Sequence, residues 1–217
     1  GLVRRDRRFE ESNMSTPILH GFPQSTYVWT ARAALSLAGI EHEFVSIMPP
    51  EHRSASHLTR HPFGKVPTLT NPALYEAAAI VRWAHEVGDA SLFPADPIDA
   101  ARVDGLVSCV GSYAYRAIVS GWLFGFVWAK GERDEAAYEV AQQAIREVLG
   151  VFEAQASGPW LVGDSLTAAD LYLGPLLFVL LINDDGKALL AEHPKLQDLL
   201  SALQAHDGFM RVSYLNA

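Results

Sequence analysis

Hydrophobic and polar positions along the chain change their period once, near residue 90. In the first part, short alternating runs predict β-strands, and runs with an apolar residue at every third or fourth position predict helices. The predicted elements there are strands at 17–20, 42–47, 66–70 and 73–75 and helices at 27–40 and 75–87. Beyond the change only helical patterns remain, at 100–130, at 133–156, from Thr167 onwards and at 195–206. The pattern predicts a small α/β domain followed by an all-α domain.

The two parts are joined by an acidic segment that contains prolines. Residues 88–99 read GDASLFPADPID, and such a mixture of Pro, Gly and Asp predicts a linker. We therefore divide the chain into an extension at 1–15, an α/β domain at 16–88, a linker at 89–99 and a helical domain at 100–217.

The acidic composition argues against binding of nucleic acids or anionic membranes. The formal net charge is -8 and the pI is near 5.4, so no basic face is expected. The basic run Arg4–Arg8 lies in the polar extension, which we predict to be disordered, with Met14 as the natural start. The most apolar runs, 117–129 and 171–182, are too short to span a bilayer. We expect a soluble protein of the cytoplasm.

A single cysteine limits the redox and metal chemistry of the chain. Cys109 has no partner for an internal disulfide, and a thiolate metal site is not expected. Because it lies in an apolar helical stretch, we predict a buried, inert thiol.

Ser25 is the first candidate for chemistry. It lies between the first predicted strand and the first predicted helix, where serine usually caps the helix. No G-x-S-x-G sequence surrounds it, so a hydrolase nucleophile is disfavoured. The same position offers free N–H groups and positive helix-end potential, which suit an anionic ligand atom. Capping and ligand binding are compatible there.

The segment 51–61, EHRSASHLTRH, concentrates histidines and arginines. The spacing is loose and no carboxylate frames it, so a metal site is not expected. Two interpretations stay open, a solvated loop and a cationic site for a small carboxylate. Further along, Pro67 falls in a strand-like run, although proline cannot donate to a sheet. It marks either a sheet edge or a special backbone shape.

Two further motifs favour folding roles. Glu76 opens a predicted helix, where an acid interacts favourably with the dipole. Thr167 and Asp170 form a capping-box pattern with Asp in place of Glu. Several aromatic residues crowd the long helical pattern; most must be core, but one or two could line a pocket.

Taken together, the segments 20–47, 51–69, 91–104 and 161–172 resemble the cytosolic glutathione transferases of the serine-type phi and theta branches. The resemblance covers nearly the whole chain from Thr16. It implies a thioredoxin-like N-terminal domain, an all-helical C-terminal domain and a cis bond between Val66 and Pro67. It also implies that the backbone of Val66 pairs with the cysteinyl part of glutathione in the manner of an added strand. Pro67 would then mark a sheet edge whose missing strand is the ligand.

The resemblance assigns the remaining site residues one by one. Ser25 matches the catalytic hydroxyl, which donates a hydrogen bond to the glutathione sulfur and favours its thiolate. His52 and Arg53 match the pair at the glycyl carboxylate, with Lys65 nearby. Glu76 matches the residue at the γ-glutamyl end. The expected acceptor pocket between the domains is lined by Phe22, Tyr113, Tyr115 and Trp122.

One departure from the family pattern concerns glutathione affinity. The family has Glu-Ser at the helix start, whereas this chain has Glu76-Ala77, which keeps the N–H and lacks the hydroxyl. Such a charge-assisted hydrogen bond is worth roughly 1.5–3 kcal/mol.

The implied function is conjugation of glutathione, the co-substrate, to hydrophobic electrophiles in detoxification, by a homodimer without a metal. The alternatives are a non-catalytic ligand-binding or interaction protein on the same fold, and a specialised glutathione-dependent isomerase, peroxidase or dehalogenase.

Overall fold

The structure, a computed structural model, describes residues 15–216. The basic run Arg4–Arg8 and Met14, together with all of the predicted extension except Ser15, therefore lie outside the described residues. The chain divides into two compact units, and the division falls between Ala90 and Ser91.

The first unit is built on a four-stranded mixed sheet. Its strands are β1 (Ile18–Gly21), β2 (Glu43–Ser46), β3 (Thr68–Thr70) and β4 (Leu74–Tyr75), in the spatial order β2-β1-β3-β4. β1 runs parallel to β2, and β3 runs antiparallel to both β1 and β4. The turn between β3 and β4 contains Asn71 at φ 57°, a left-handed conformation that asparagine tolerates.

Helices of this unit pack against each other and complete its core. They are α1 (Thr26–Leu37), a 3₁₀ turn at Glu51–Arg53, α2 (Ala55–Leu58) and α3 (Ala77–Val87), with α1 lying against α3. Trp29 and Leu35 of α1 and Ile80 of α3 are fully buried. α1 stops before the predicted residue 40 because Gly39, at φ 70°, turns the backbone out of the helix.

The second unit is helical throughout its regular elements. The helix α4 (Pro97–Cys109) continues with wider π-helical winding over Val110–Ala114 and Arg116–Val127. α4 begins at Pro97, inside the predicted linker, because the Asp96 carboxylate accepts hydrogen bonds from the N–H groups of Ile98 and Asp99 at 2.9 and 3.0 Å. The later elements are α5 (Glu135–Gln155), α6 (Ala168–Leu180), α7 (Asp184–Ala191), α8 (Pro194–Gln204), α9 (Asp207–Met210) and a 3₁₀ turn at Tyr214–Asn216.

α6 is the central helix of the second unit, and every residue of it is buried. The predicted capping box is confirmed at its start, where the Asp170 carboxylate accepts hydrogen bonds from the Thr167 N–H at 2.7 Å and the Thr167 hydroxyl at 2.9 Å. The Leu161 N–H donates to the same carboxylate at 2.8 Å. Burial raises the pKa of Asp170 to about 6, against the opposing effect of these donors. No helix within residues 15–216 is long and apolar enough to cross a membrane.

Candidate functional site

The register of the sheet gathers the ends of all four strands at one place. Gly21 lies beside Ser46, His20 lies opposite Thr68, and Thr68 lies opposite Tyr75. One end of the sheet is therefore formed by the last residues of β1, β2 and β4 and the first residue of β3. We call it the site end of the sheet, and the segments that adjoin these residues leave the sheet there. These segments carry Ser25 after β1, His52 and Arg53 after β2, Lys65 and Val66 before β3, and Glu76 after β4.

Ser25 caps α1, as the sequence predicts. Its Oγ accepts a hydrogen bond from the Val28 N–H at 3.4 Å, and its own N–H donates to the Phe22 carbonyl at 3.1 Å. Gly21 permits this tight connection, because a Cβ there would collide with the Val28 side chain. The half-buried Ser25 hydroxyl uses a lone pair in the cap, which leaves its proton available to an acceptor at the helix N-terminus.

The bond between Val66 and Pro67 is cis, as the resemblance implies. The sheet-edge interpretation of Pro67 is wrong, because β3 is an interior strand and Pro67 lies just before its first residue, where no ladder hydrogen bond is needed. Val66 is half-buried. Within residues 15–216, neither its N–H nor its carbonyl takes part in a backbone hydrogen bond. A free donor and acceptor therefore remain for a ligand backbone.

The cationic loop is held in place by Gly64 and His57. Gly64 has φ 58°, and a Cβ there would lie 2.9 Å from the His52 carbonyl oxygen, so the two chain segments approach closely. The fully buried His57 donates from Nε2 to the Lys65 carbonyl at 2.8 Å. These contacts fix the backbone beneath Arg53 and Lys65, whose side chains are exposed.

Two histidines of this region have a pKa below the usual histidine value. Burial and then the charges of Arg53, His57 and Lys65 lower the pKa of His52. Burial and then Arg60 and His57 lower the pKa of His20 to about 4. The permanent positive charge at the site end is therefore carried by side chains such as Arg53 and Lys65.

Glu76 contributes a negative charge to the site end. It is exposed and adopts φ 70°, ψ 128°, a backbone conformation that costs of order 1–3 kcal/mol for a residue other than glycine. Strain of this kind concentrates at binding sites. One Oε1 atom lies 3.5 Å from Nε2 of the buried His61. The next residue, Ala77, is buried and begins α3.

The arrangement combines a helix-capping hydroxyl, an open backbone pair, cations and a carboxylate. It suits a short peptide that carries a carboxylate, an ammonium group and an extended middle. No group of three or more His, Cys, Asp or Glu side chains that could hold a metal ion occurs in the described part of the chain.

The predicted acceptor-pocket residues belong to different units, and each is described within its own unit. Trp122 is fully buried in the second unit and donates from Nε1 to the Tyr138 hydroxyl at 3.2 Å, so its prediction as a pocket wall is wrong. Tyr113 is 63% exposed and lies on a groove of about 270 Å³ lined also by Cys109, Glu147, Val148, Val151 and Phe152. Burial raises the pKa of Tyr115. Phe22 is half-buried in the first unit.

The groove also corrects the prediction for Cys109, which is half-buried and not fully enclosed. The helical pattern around it is apolar on more than one face, so periodicity did not show which face meets the core.

Sequence reasoning missed His57, His61 and Gly64 as site supports. His57 and His61 stood in a loop rich in charge, which hid their complete burial. A signal existed at Gly64, since glycine between Phe63 and Lys65 is typical of a left-handed turn.

Known proteins with similar sequences point to one family. Residues 19–87 match the glutathione S-transferase N-terminal domain, and residues 99–207 match the glutathione S-transferase C-terminal domain. A maleylacetoacetate isomerase of Rhizobium meliloti is 31% identical over 74% of this chain and 80% of its own length. Glutathione S-transferase 1 of Zea mays is 32% identical over 70% of this chain and 75% of its own length.

A solved structure agrees on the fold. Maize glutathione S-transferase I, in complex with an atrazine–glutathione conjugate, aligns with a TM-score of 0.81 and 26% identity over 93% of this chain and 98% of its own. The predicted fold class, a thioredoxin-like domain followed by a helical domain, is confirmed.

Proposed function

This protein belongs to the glutathione S-transferase family and conjugates glutathione to electrophilic compounds, and we propose that it does so through a thiolate stabilised by Ser25. The observation that supports the proposal is that the segments with Ser25, Val66, Arg53 and Glu76 all adjoin the site end of the sheet. Each of these groups is complementary to a different part of glutathione.

The tripeptide lies across the site end with its middle residue extended beside Val66. The free N–H and carbonyl of Val66 pair with the backbone of the cysteinyl residue. Arg53 and Lys65 attract the glycyl carboxylate, with His52 as a neutral donor beside them. The Glu76 carboxylate accepts hydrogen bonds from the ammonium group at the γ-glutamyl end, and the N–H of Ala77 donates to the carboxylate of that end. Pro67 holds the start of β3 beneath the ligand.

The chemistry is the preparation of a nucleophile that belongs to the substrate. The Ser25 hydroxyl donates to the sulfur, and the N-terminus of α1 adds favourable electrostatic potential. Both stabilise the thiolate and lower the thiol pKa from about 8.5 towards neutrality. The thiolate then attacks the electrophilic carbon. Either the leaving group departs with the electron pair of the broken bond, or the π-electron pair of an activated double bond moves onto its electron-withdrawing group and is protonated.

Calorimetry with glutathione, followed by conjugation assays with a panel of electrophiles, tests this proposal. Arg53→Ala should weaken glutathione binding by about tenfold, because one charge-assisted contact is lost. Arg102→Ala is the matched control, since Arg102 forms an exposed ion pair with Asp99 in the second unit. Absence of glutathione binding at millimolar concentration would contradict the proposal.

A glutathione-dependent isomerase is the second candidate, favoured by the 31% identical maleylacetoacetate isomerase. In such a reaction the thiolate adds to an activated double bond, the resulting single bond rotates, and elimination returns the thiolate. Conjugation consumes one thiol per turnover, whereas isomerisation consumes none. Thiol titration during turnover of a cis-configured unsaturated diacid therefore separates the two functions.

The electrophile site is part of the same proposal. We propose that Phe22, Tyr113 and Tyr115 contact the electrophile, so their alanine variants should raise the KM for the electrophile and leave the KM for glutathione unchanged.

We also propose that the protein is a homodimer. Exposed apolar residues such as Ile98 at the start of α4 support this proposal, and light scattering at micromolar concentration tests it. A detoxifying role in the cytoplasm fits, because thiols stay reduced there.

A further inference from the structure

We propose that His61 is a positioning residue of the glutathione site, which holds the Glu76 carboxylate ready for the ammonium group of the γ-glutamyl moiety. The inference rests on the proposed function, because it names the group that Glu76 binds. In this role His61 increases the affinity for the γ-glutamyl part of glutathione and does not contact glutathione itself.

The protonation pattern of His61 follows from its two neighbours. Nδ1 lies 3.3 Å from the Phe63 N–H and accepts its hydrogen bond, so it carries no proton. The proton of the neutral ring must then be on Nε2, which lies 3.5 Å from Oε1 of Glu76. The protonated nitrogen of His61 is therefore the ring atom that lies near the Glu76 carboxylate, at a distance that allows an electrostatic contact.

The ring of His61 cannot turn away from this direction. The residue is 1% exposed, and its ring lies between those of Tyr75 and Phe63, with centroid distances of 5.1 and 6.3 Å. Burial, together with His57 and Lys65, lowers its pKa, while Glu76 raises it. A buried donor thus lies beside an exposed acceptor.

Glu76 needs such an anchor because its own side chain is 62% exposed. A free glutamate loses rotamer entropy when it binds a ligand, and a contact formed before binding reduces that loss. The need is greater in this chain, since Ala77 offers no hydroxyl at the same end of the ligand. The contact with the ammonium group then contributes a larger share of the binding free energy at the γ-glutamyl end.

Two isosteric substitutions separate the positioning role from a purely structural one. In His61→Asn, the amide oxygen occupies the place of Nδ1 and still accepts from Phe63, but nothing reaches Glu76. In His61→Gln, the amide nitrogen occupies the place of Nε2 and still donates to Glu76. We expect His61→Asn to raise the Kd for glutathione about three- to tenfold, a modest change because solvent screens the exposed carboxylate. His61→Gln should stay within about twofold of the wild type.

Steady-state kinetics and a glutathione analogue test whether His61 acts through Glu76. The kcat at saturating glutathione should be unchanged in His61→Asn, and only the KM for glutathione should rise. With glutaryl-cysteinylglycine, which lacks the γ-glutamyl amino group, wild type and His61→Asn should bind equally. The single variant Glu76→Gln and the double variant Glu76→Gln/His61→Asn should also bind glutathione with equal Kd.

Failure of the inference differs from failure of the proposed function. If the wild type binds glutathione and His61→Asn binds it equally well, His61 does not position Glu76. An equal loss in His61→Asn and His61→Gln, or a loss that persists with the analogue, overturns the inference in favour of a general role in folding. If the wild type itself binds no glutathione, the proposed function is wrong and the inference with it.

Discussion

Replacement of Ser25 by alanine removes two functions of one hydroxyl, and the structure allows each to be given a size. The first function is the cap of α1, where Oγ accepts from the Val28 N–H at 3.4 Å. Loss of a serine cap costs about 1 kcal/mol of unfolding free energy. The second function is the proposed donation of the hydroxyl proton to the glutathione sulfur.

The second loss should dominate the kinetics. A hydrogen bond to a charged group is worth about 1.5–3 kcal/mol, which corresponds to a rise of about 1–2 units in the thiol pKa of the complex. From a starting pKa of about 7, the thiolate fraction at pH 7 falls about five- to fiftyfold. Glutathione affinity should change far less, because the carboxylates and the Val66 backbone carry most of the binding.

Thiolate absorbance against pH, turnover with a model electrophile and calorimetry measure the three quantities separately. Ser54→Ala is the matched control, since Ser54 caps α2 by accepting from the His57 N–H at 3.2 Å and has no proposed contact with sulfur. It should lose stability without a shift of the thiol pKa. An unchanged thiol pKa and turnover in Ser25→Ala would leave Ser25 as a helix cap only.

Three further predictions concern affinity, a buried carboxylate and pH. Ala77→Ser should lower the Kd for glutathione about tenfold in calorimetry, because it restores a donor to the γ-glutamyl carboxylate; unchanged affinity would refute this. Asp170→Ala should reduce the unfolding free energy by about 3–4 kcal/mol in urea titrations, since it leaves the buried N–H groups of Thr167 and Leu161 unpaired, whereas the exposed Asp164→Ala should change little. The pKa of His20 is lowered from 6.5 to about 4, so the unfolded state binds the proton first and stability falls as pH decreases from about 6.5 towards 4. Between pH 7 and 4.5 the wild type should lose about 2 kcal/mol more than His20→Gln, and parallel losses would contradict the assignment.

Local signals in the sequence determined the element types and several contacts. The first strand, the capping role of Ser25 and the capping box of Thr167 and Asp170 were each predictable, because they depend on residues at most a few positions apart. Element ends were less accurate, as at Pro97, since Asp96 is both an apparent loop residue and a strong cap. Family resemblance supplied the residues of the site and could not supply their arrangement.

Tertiary structure alone decided which side chains meet and which become buried. The approach of His61 to Glu76 joins residues fifteen positions apart through a strand pair, and no periodicity in the chain encodes that contact. Trp122 looked like a pocket residue, but helix packing enclosed it beside Tyr138. The physical reason is shared by these cases: hydrophobic pattern specifies an apolar face, whereas the partner of that face depends on register and packing across the whole unit.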